Sequence, residues 1–214
     1  MHWTSLRSAC VGGVSRKGYP VNFFTKASVK QVHLIWIASI INIGLGFVIP
    51  GFDVFAKSIS HVALEAPVFA YTHRIADIVI GISMCFFALG IQLTSPSRIS
   101  FSMASVLLLG LSLISAGIWT LESPLHLLYN LSIFMIIAPL SFSLEFKNII
   151  KSPSFELFSA AVSFLHVFMF WLIYAGFIPP EINGLVQRMW AIPTMGWFGI
   201  AAYMLGSRQF SANK

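Results

Sequence analysis

Charge is what this sequence has least of. Only 13 of its 214 residues are Lys or Arg and only 7 are Asp or Glu, 9% in all, against roughly 25% in ordinary soluble domains. A chain that is also 57% hydrophobic, with a mean hydropathy of +0.83, cannot cover itself with a polar surface. A water-soluble globular domain is therefore excluded. Cysteine is almost missing too: Cys10 lies in a polar N-terminal stretch and Cys85 inside a long apolar run, which excludes a disulfide framework and a zinc site built on cysteine pairs. There is no nucleotide-binding glycine loop and no internal repeat. The formal net charge of +6 does not point to nucleic acid either, because the basic residues fall where a membrane protein places them.

Long apolar runs are what the chain has in plenty. A helix needs about 20 apolar residues to cross the hydrocarbon core. The sequence predicts six such spans, near 32–49, 70–93, 100–120, 125–145, 156–178 and 185–205. Turn residues separate them: Pro50-Gly51, Ser95-Pro96-Ser97, Ser123-Pro124, Ser152-Pro153-Ser154 and Pro179-Pro180, where proline cannot continue a helix. Backbone groups in lipid must be satisfied within the segment, so the spans must be helical. The expected fold is all-α, a polytopic membrane bundle of six transmembrane helices over 32–206. Residues 1–31 read as a flexible basic cytoplasmic tail, and 207–214 as a short cytoplasmic C-terminal tail. The run at 32–49 is too long for the core of a cleaved signal.

Lys and Arg favour the cytoplasmic side of membrane proteins. With six spans both termini share a side, and that side receives Arg7, Arg16, Lys17, Lys26, Lys30, Arg98, Lys147, Lys151, Arg208 and Lys214. The other side receives Lys57, Arg74 and Arg188 with Asp53, Glu65, Asp77, Glu122 and Glu181. Both ends are accordingly expected in the cytoplasm.

The stretch from Pro50 to Asp77 gathers Asp53, Lys57, Ser58, Ser60, His61, Glu65, His73, Arg74 and Asp77 into one short region. His73 and Asp77 are one helical turn apart, and Arg74 is three residues before Asp77, so the carboxylate can face either. His126 opens the fourth span, Asn130 lies one turn deeper, and Gln187 and Arg188 enter the sixth. All of these fall at the non-cytoplasmic end. Ionised groups at membrane depth cost at least about 2.5 kcal/mol unless partnered.

Three stretches, within 50–71, 117–126 and 184–189, resemble a family of prokaryotic membrane proteins, domain of unknown function 998. Pro50-Gly51-Phe52-Asp53, Ser58-Ile59-Ser60-His61 and Ala66-Pro67-Val68-Phe69-Ala70-Tyr71 resemble the family's turn after the first helix and its entry to the second, with His61 where the family usually has an acid. Gly117-Ile118-Trp119 leading to Glu122, Ser123, Pro124 and His126 is similar to its junction between the third and fourth helices, with the proline and acid displaced. Gly184-Leu185-Val186-Gln187-Arg188-Met189 is similar to its G-L-x-Q-R segment. The resemblance covers about 32–206 and implies a six-helix membrane protein; a bacterial inner membrane is the expected location. The resemblance brings no established activity.

Three readings of the polar cluster follow from its residues. In the structural one, Arg188 pairs with Asp77 or Glu122 and locks three helices together. In the binding one, Arg74, Glu122, His126, Asn130, Gln187 and Arg188 form an outward-facing pocket for a lipid headgroup or small polar ligand. In the catalytic one, the chain is a membrane-embedded hydrolase acting on lipid. There His73, Asp77 and His126 hold a metal such as zinc, or Ser60 is a nucleophile beside His61 or His126. No cofactor is specified. Haem would need a histidine pair on two helices, and His166, alone among apolar residues, is expected to bond a nearby serine instead. Pro193 is expected to kink the last span.

Overall fold

The computed structural model describes residues 23–209; most of the expected basic tail and the last five residues lie outside the described residues. Within them every regular element is helical. In chain order these are α1 (Phe23–Lys30), α2 (His33–Val48), α3 (Pro67–Thr94), α4 (Phe101–Ile118), α5 (Phe134–Glu145), α6 (Lys147–Ile150), α7 (Pro153–Tyr174) and α8 (Asn183–Gln209). Short 3-10 helices occupy Ile59–Leu64, Pro124–Ile133 and Pro180–Ile182.

Five helices among the described residues are long and apolar enough to cross a membrane: Phe23–Val48, Pro67–Thr94, Phe101–Ile118, Pro124–Glu145 and Pro153–Tyr174. Their outer faces carry exposed Phe47, Val68, Leu157 and Phe164, as helices solvated by lipid do. The chain is thus a helical membrane protein. The sixth predicted span corresponds to α8, which has the length but is not among the five. Arg188, Pro193, Thr194 and its glycines and tryptophans dilute its apolarity.

The first span also differs from expectation. Helix begins at Phe23, inside the stretch expected to be a flexible tail. α1 buries Thr25, Ser28 and Val29, and Gly90 of α3 lets it approach: a methyl group there would meet Val29 Cγ2 at 3.0 Å. Gln31 then donates from Nε2 to the carbonyl of Ser83 at 2.8 Å. One long side chain bonding across to α3 thus helps tie Phe23–Lys30 to the bundle.

α3 is the central helix and packs mainly on α4 and α2. Its closest approach to α4 is at Gly81 and Gly110, where a Cβ on Gly81 would lie 2.5 Å from the Gly110 carbonyl oxygen. Small residues at a crossing let backbones touch in lipid, where there is no hydrophobic drive between helices. Gly44 and Gly196, read from sequence as packing faces, have nothing within 4 Å of where a Cβ would stand.

An aromatic core fills one end of the bundle. Phe142 stacks on Phe146 at 4.7 Å and meets the ring of Trp197 edge-on at 5.5 Å, and Trp197 donates from Nε1 to Ser159 at 3.0 Å. At the same end Glu145 collects hydrogen bonds from the hydroxyls of Ser95, Ser100 and Ser102. Ser100 also caps α4 by accepting from the Met103 amide at 2.9 Å. A carboxylate over a helix N-terminus satisfies donors the helix cannot. The other end holds the polar cluster.

Candidate functional site

The loop after α2 turns at Gly51, whose φ of +72° favours glycine. Asp53 then tightens the chain by accepting at Oδ1 from the amides of Phe55 and Ala56, at 3.0 and 3.1 Å. Lys57 pairs with Glu65 at 3.0 Å and sits 4.9 Å from the Phe52 ring centroid.

Arg188 reaches this loop from α8. Its Nη1 donates to the carbonyls of Val54 at 3.0 Å, Lys57 at 2.8 Å and Gly184 at 2.9 Å. The Leu185 amide adds a bond to the Phe55 carbonyl at 3.0 Å. Gly184 permits this contact, since a Cβ there would stand 2.8 Å from the Val54 carbonyl oxygen; one on Gly46 would stand 2.8 Å from Arg188 Nη2. The expected pairing of Arg188 with Asp77 or Glu122 is therefore corrected: its partners are the backbone carbonyls of Val54 and Lys57 in an irregular loop and of Gly184 in the first turn of α8.

Arg74 is used in the same way. Its Nε donates to the Gly117 carbonyl and its Nη2 to the Ile118 carbonyl, both at 2.8 Å. These are acceptors at the C-terminal end of α4, where a cation also meets the negative end of the helix dipole. His126 Nδ1 donates to the neighbouring Trp119 carbonyl at 2.7 Å.

Deeper in the bundle three side chains form a closed set. Asn42 of α2 donates from Nδ2 to Asp77 Oδ1 at 2.5 Å and accepts at Oδ1 from His73 Nδ1 at 3.0 Å. His73 Nε2 lies 3.4 Å from Asp77 Oδ2. All three are buried. Asn42 thus fixes both the His73 tautomer, protonated at Nδ1, and the orientation of the carboxylate. Asp77 turns to His73 rather than to Arg74.

A cavity of about 360 Å³ opens beside this set. Its polar wall is made by Asn42, His73 and Asp77 with Ser58 and Ser60 of the loop, His126, and Gln187 of α8. Its floor is Ile80, Leu113 and Met195, and one side is aromatic, from Phe170, Tyr174 and Trp190. Of the residues singled out from sequence, Ser60, His73, Asp77, His126 and Gln187 line it. His61, Arg74, Glu122, Asn130 and Arg188 do not; Glu122 and Asn130 are exposed.

Neither the metal site nor the Ser60–His61 pair expected from sequence is assembled among the described residues. His61 Nδ1 is 2.5 Å from Ser58 Oγ, so the imidazole is engaged by Ser58 and not poised beside Ser60. Among the described residues no three His, Cys, Asp or Glu side chains are placed to hold a metal ion. Nδ1 of His73 turns to Asn42 and Nδ1 of His126 to the Trp119 carbonyl, while His73 Nε2 faces Asp77. His166 bonds no serine. Its Nδ1 donates to the Met135 carbonyl at 3.0 Å and its Nε2 lies 2.6 Å from Thr194 Oγ1. Pro139 stands four residues after Met135 in α5 and has no N–H to give that carbonyl; His166 supplies the missing donor.

Sequence reasoning missed Asn42, Ser58 as the partner of His61, and the aromatic wall. Asn42 had a signal, an amide in the middle of an apolar span; the aromatics had none, being three among many. No protein-family model, no curated protein and no solved structure matches the chain.

Proposed function

We propose that this protein is a six-span protein of a bacterial inner membrane, with α8 as the sixth span and both ends cytoplasmic, whose intrabundle cavity is a binding site open to the outer side. One observation carries the reading: a cavity of about 360 Å³, within the roughly 300–1,000 Å³ usual for small-molecule sites, walled by residues of every long helix and by the oriented Asn42–His73–Asp77 set. Such a set on an apolar background is how membrane proteins fix the orientation of a ligand. The mouth lies at the end carrying Ser60 and Leu121, which the distribution of Lys and Arg assigns to the outside.

Kinship with the domain of unknown function 998 family is proposed on the same ground. Two of the three family-like stretches, around Phe52 and around Arg188, meet each other here. Phe52 and Arg188 hold the loop in place, while Ser58, Ser60 and Gln187 of the same stretches line the cavity. The surrounding bilayer is the source of a lipid ligand, and a lipid headgroup entering the cavity would meet His126 and Gln187 rather than an arginine.

The test is a thermal-shift screen of the purified protein in a neutral detergent against small polar and amphipathic compounds, paired with Ala191→Phe, which fills the cavity from its wall. A compound that raises Tm of the parent protein and leaves Ala191→Phe unchanged is the expected result. If every stabilising compound acts equally on a folded Ala191→Phe, the cavity is not the binding site.

A further inference from the structure

We infer that the occupant of this cavity is an organic cation, an amine carrying an apolar body; the inference rests on the cavity being a binding site. The positively charged side chains of this region lie outside the cavity lining. Arg74 and Arg188 are bonded to carbonyl oxygens, and Lys57 to Glu65. Among the described residues no Lys or Arg lines the cavity, and Asp77 is its one carboxylate. An anion entering it would lose its hydration against a carboxylate, with no cation to replace the water.

The hydrogen bonds around Asp77 agree. Asn42 uses its N–H on Asp77 Oδ1 and takes the Nδ1 proton of His73 on its own oxygen. His73 Nε2 and Asp77 Oδ2 then face each other, 3.4 Å apart. An ammonium brings N–H donors and positive charge together to such a pair, and an alcohol brings only one donor and no charge. His126 and Tyr174 are the other titratable groups in the wall, from the Pro124–Ile133 helix and α7; α2, α4, α5 and α8 add none. Arg74, next to His73 in α3, is bonded away toward α4.

The aromatic wall completes the match. Phe170 and Trp190 meet edge-to-face at 4.9 Å, and Tyr174 stacks beside Phe170. Aromatic faces attract cations, more strongly where water is excluded. The floor of Ile80, Leu113 and Met195 takes the apolar body.

The experiment uses fluorine NMR on the full chain in a neutral maltoside detergent, with three probes of nearly equal shape: para-fluorobenzylamine, cationic at neutral pH, para-fluorobenzyl alcohol, and para-fluorobenzoate. The amine should bind at least tenfold more tightly than the alcohol, and the benzoate should not bind. Asp77→Asn should bring the amine to the level of the alcohol. Phe170→Leu, which leaves the Asp77 set intact, should weaken the amine several-fold. Melting curves establish that each variant is folded, and the selectivity of the parent protein needs no variant. If the alcohol or benzoate binds as well as the amine, and Ala191→Phe abolishes that binding, the charge assignment is overturned while the binding site stands. If no probe binds, or if binding survives in Ala191→Phe, both fall.

Discussion

Arg188 Nη1 lies 2.8 Å from the carbonyl oxygen of Lys57, a residue 131 positions earlier in the chain. With the bonds to Val54 and Gly184, this contact fastens the start of α8 to the loop after α2. The guanidinium is buried, with the Phe52 ring 5.8 Å away. A charged donor to neutral acceptors contributes about 1.5–3 kcal/mol per bond, and removing it leaves buried carbonyls unsatisfied.

Arg188→Leu is accordingly expected to destabilise the protein by roughly 3 kcal/mol, read as a fall in Tm in detergent. Arg188→Lys should restore part of it, because its ammonium carries donors for these carbonyls but sits on a shorter side chain. A Leu variant within about 0.5 kcal/mol of the parent would show that the contact does not hold the loop.

Two glycines of α8 make a matched pair. At Gly184 a Cβ would press on the carbonyls of Val54 and Lys57, whereas at Gly196 it would meet nothing within 4 Å. Gly184→Ala should lower Tm and weaken the Arg188 contact. Gly196→Ala should be neutral or stabilising by up to about 1 kcal/mol, as removal of a mid-helix glycine is. The opposite order would mean that α8 does not seat against the loop at Gly184.

His166 completes the helix that Pro139 interrupts. His166→Leu leaves the Met135 carbonyl without its donor and should cost about 1–3 kcal/mol. A double variant, His166→Leu with Pro139→Ala, should recover much of that loss, because alanine returns the backbone N–H. Equal costs of His166→Leu with proline or alanine at 139 would contradict the assignment.

Much of the fold was legible because it follows from apolar length and from proline. Pro67, Pro124 and Pro153 each open a helix close to the predicted boundary. The site was legible only where its residues are polar at an unusual depth, as with His73, Asp77 and Gln187. Arg188 was found but given the wrong partner, because a backbone carbonyl has no residue type by which a sequence can announce it. Lys26 and Lys30 give α1 the look of a tail and mask the hydrogen bond of Gln31 and the packing of Val29 on α3. His166 was given a serine because its true partners, Thr194 and the Met135 carbonyl, come from other helices and depend on Pro139.

The central claim is a cavity inside the bundle, reached from the outer side and lined by α8. Its most direct test is thiol labelling of Ala191→Cys in a Cys10→Ser, Cys85→Ala background, using a membrane-impermeant maleimide on intact cells, with Phe198→Cys as a control buried outside the cavity wall. The account predicts labelling of Ala191→Cys from outside, blocked by a bound amine, and none of Phe198→Cys. Labelling of Ala191→Cys only after the membrane is opened to the cytoplasmic face would contradict it.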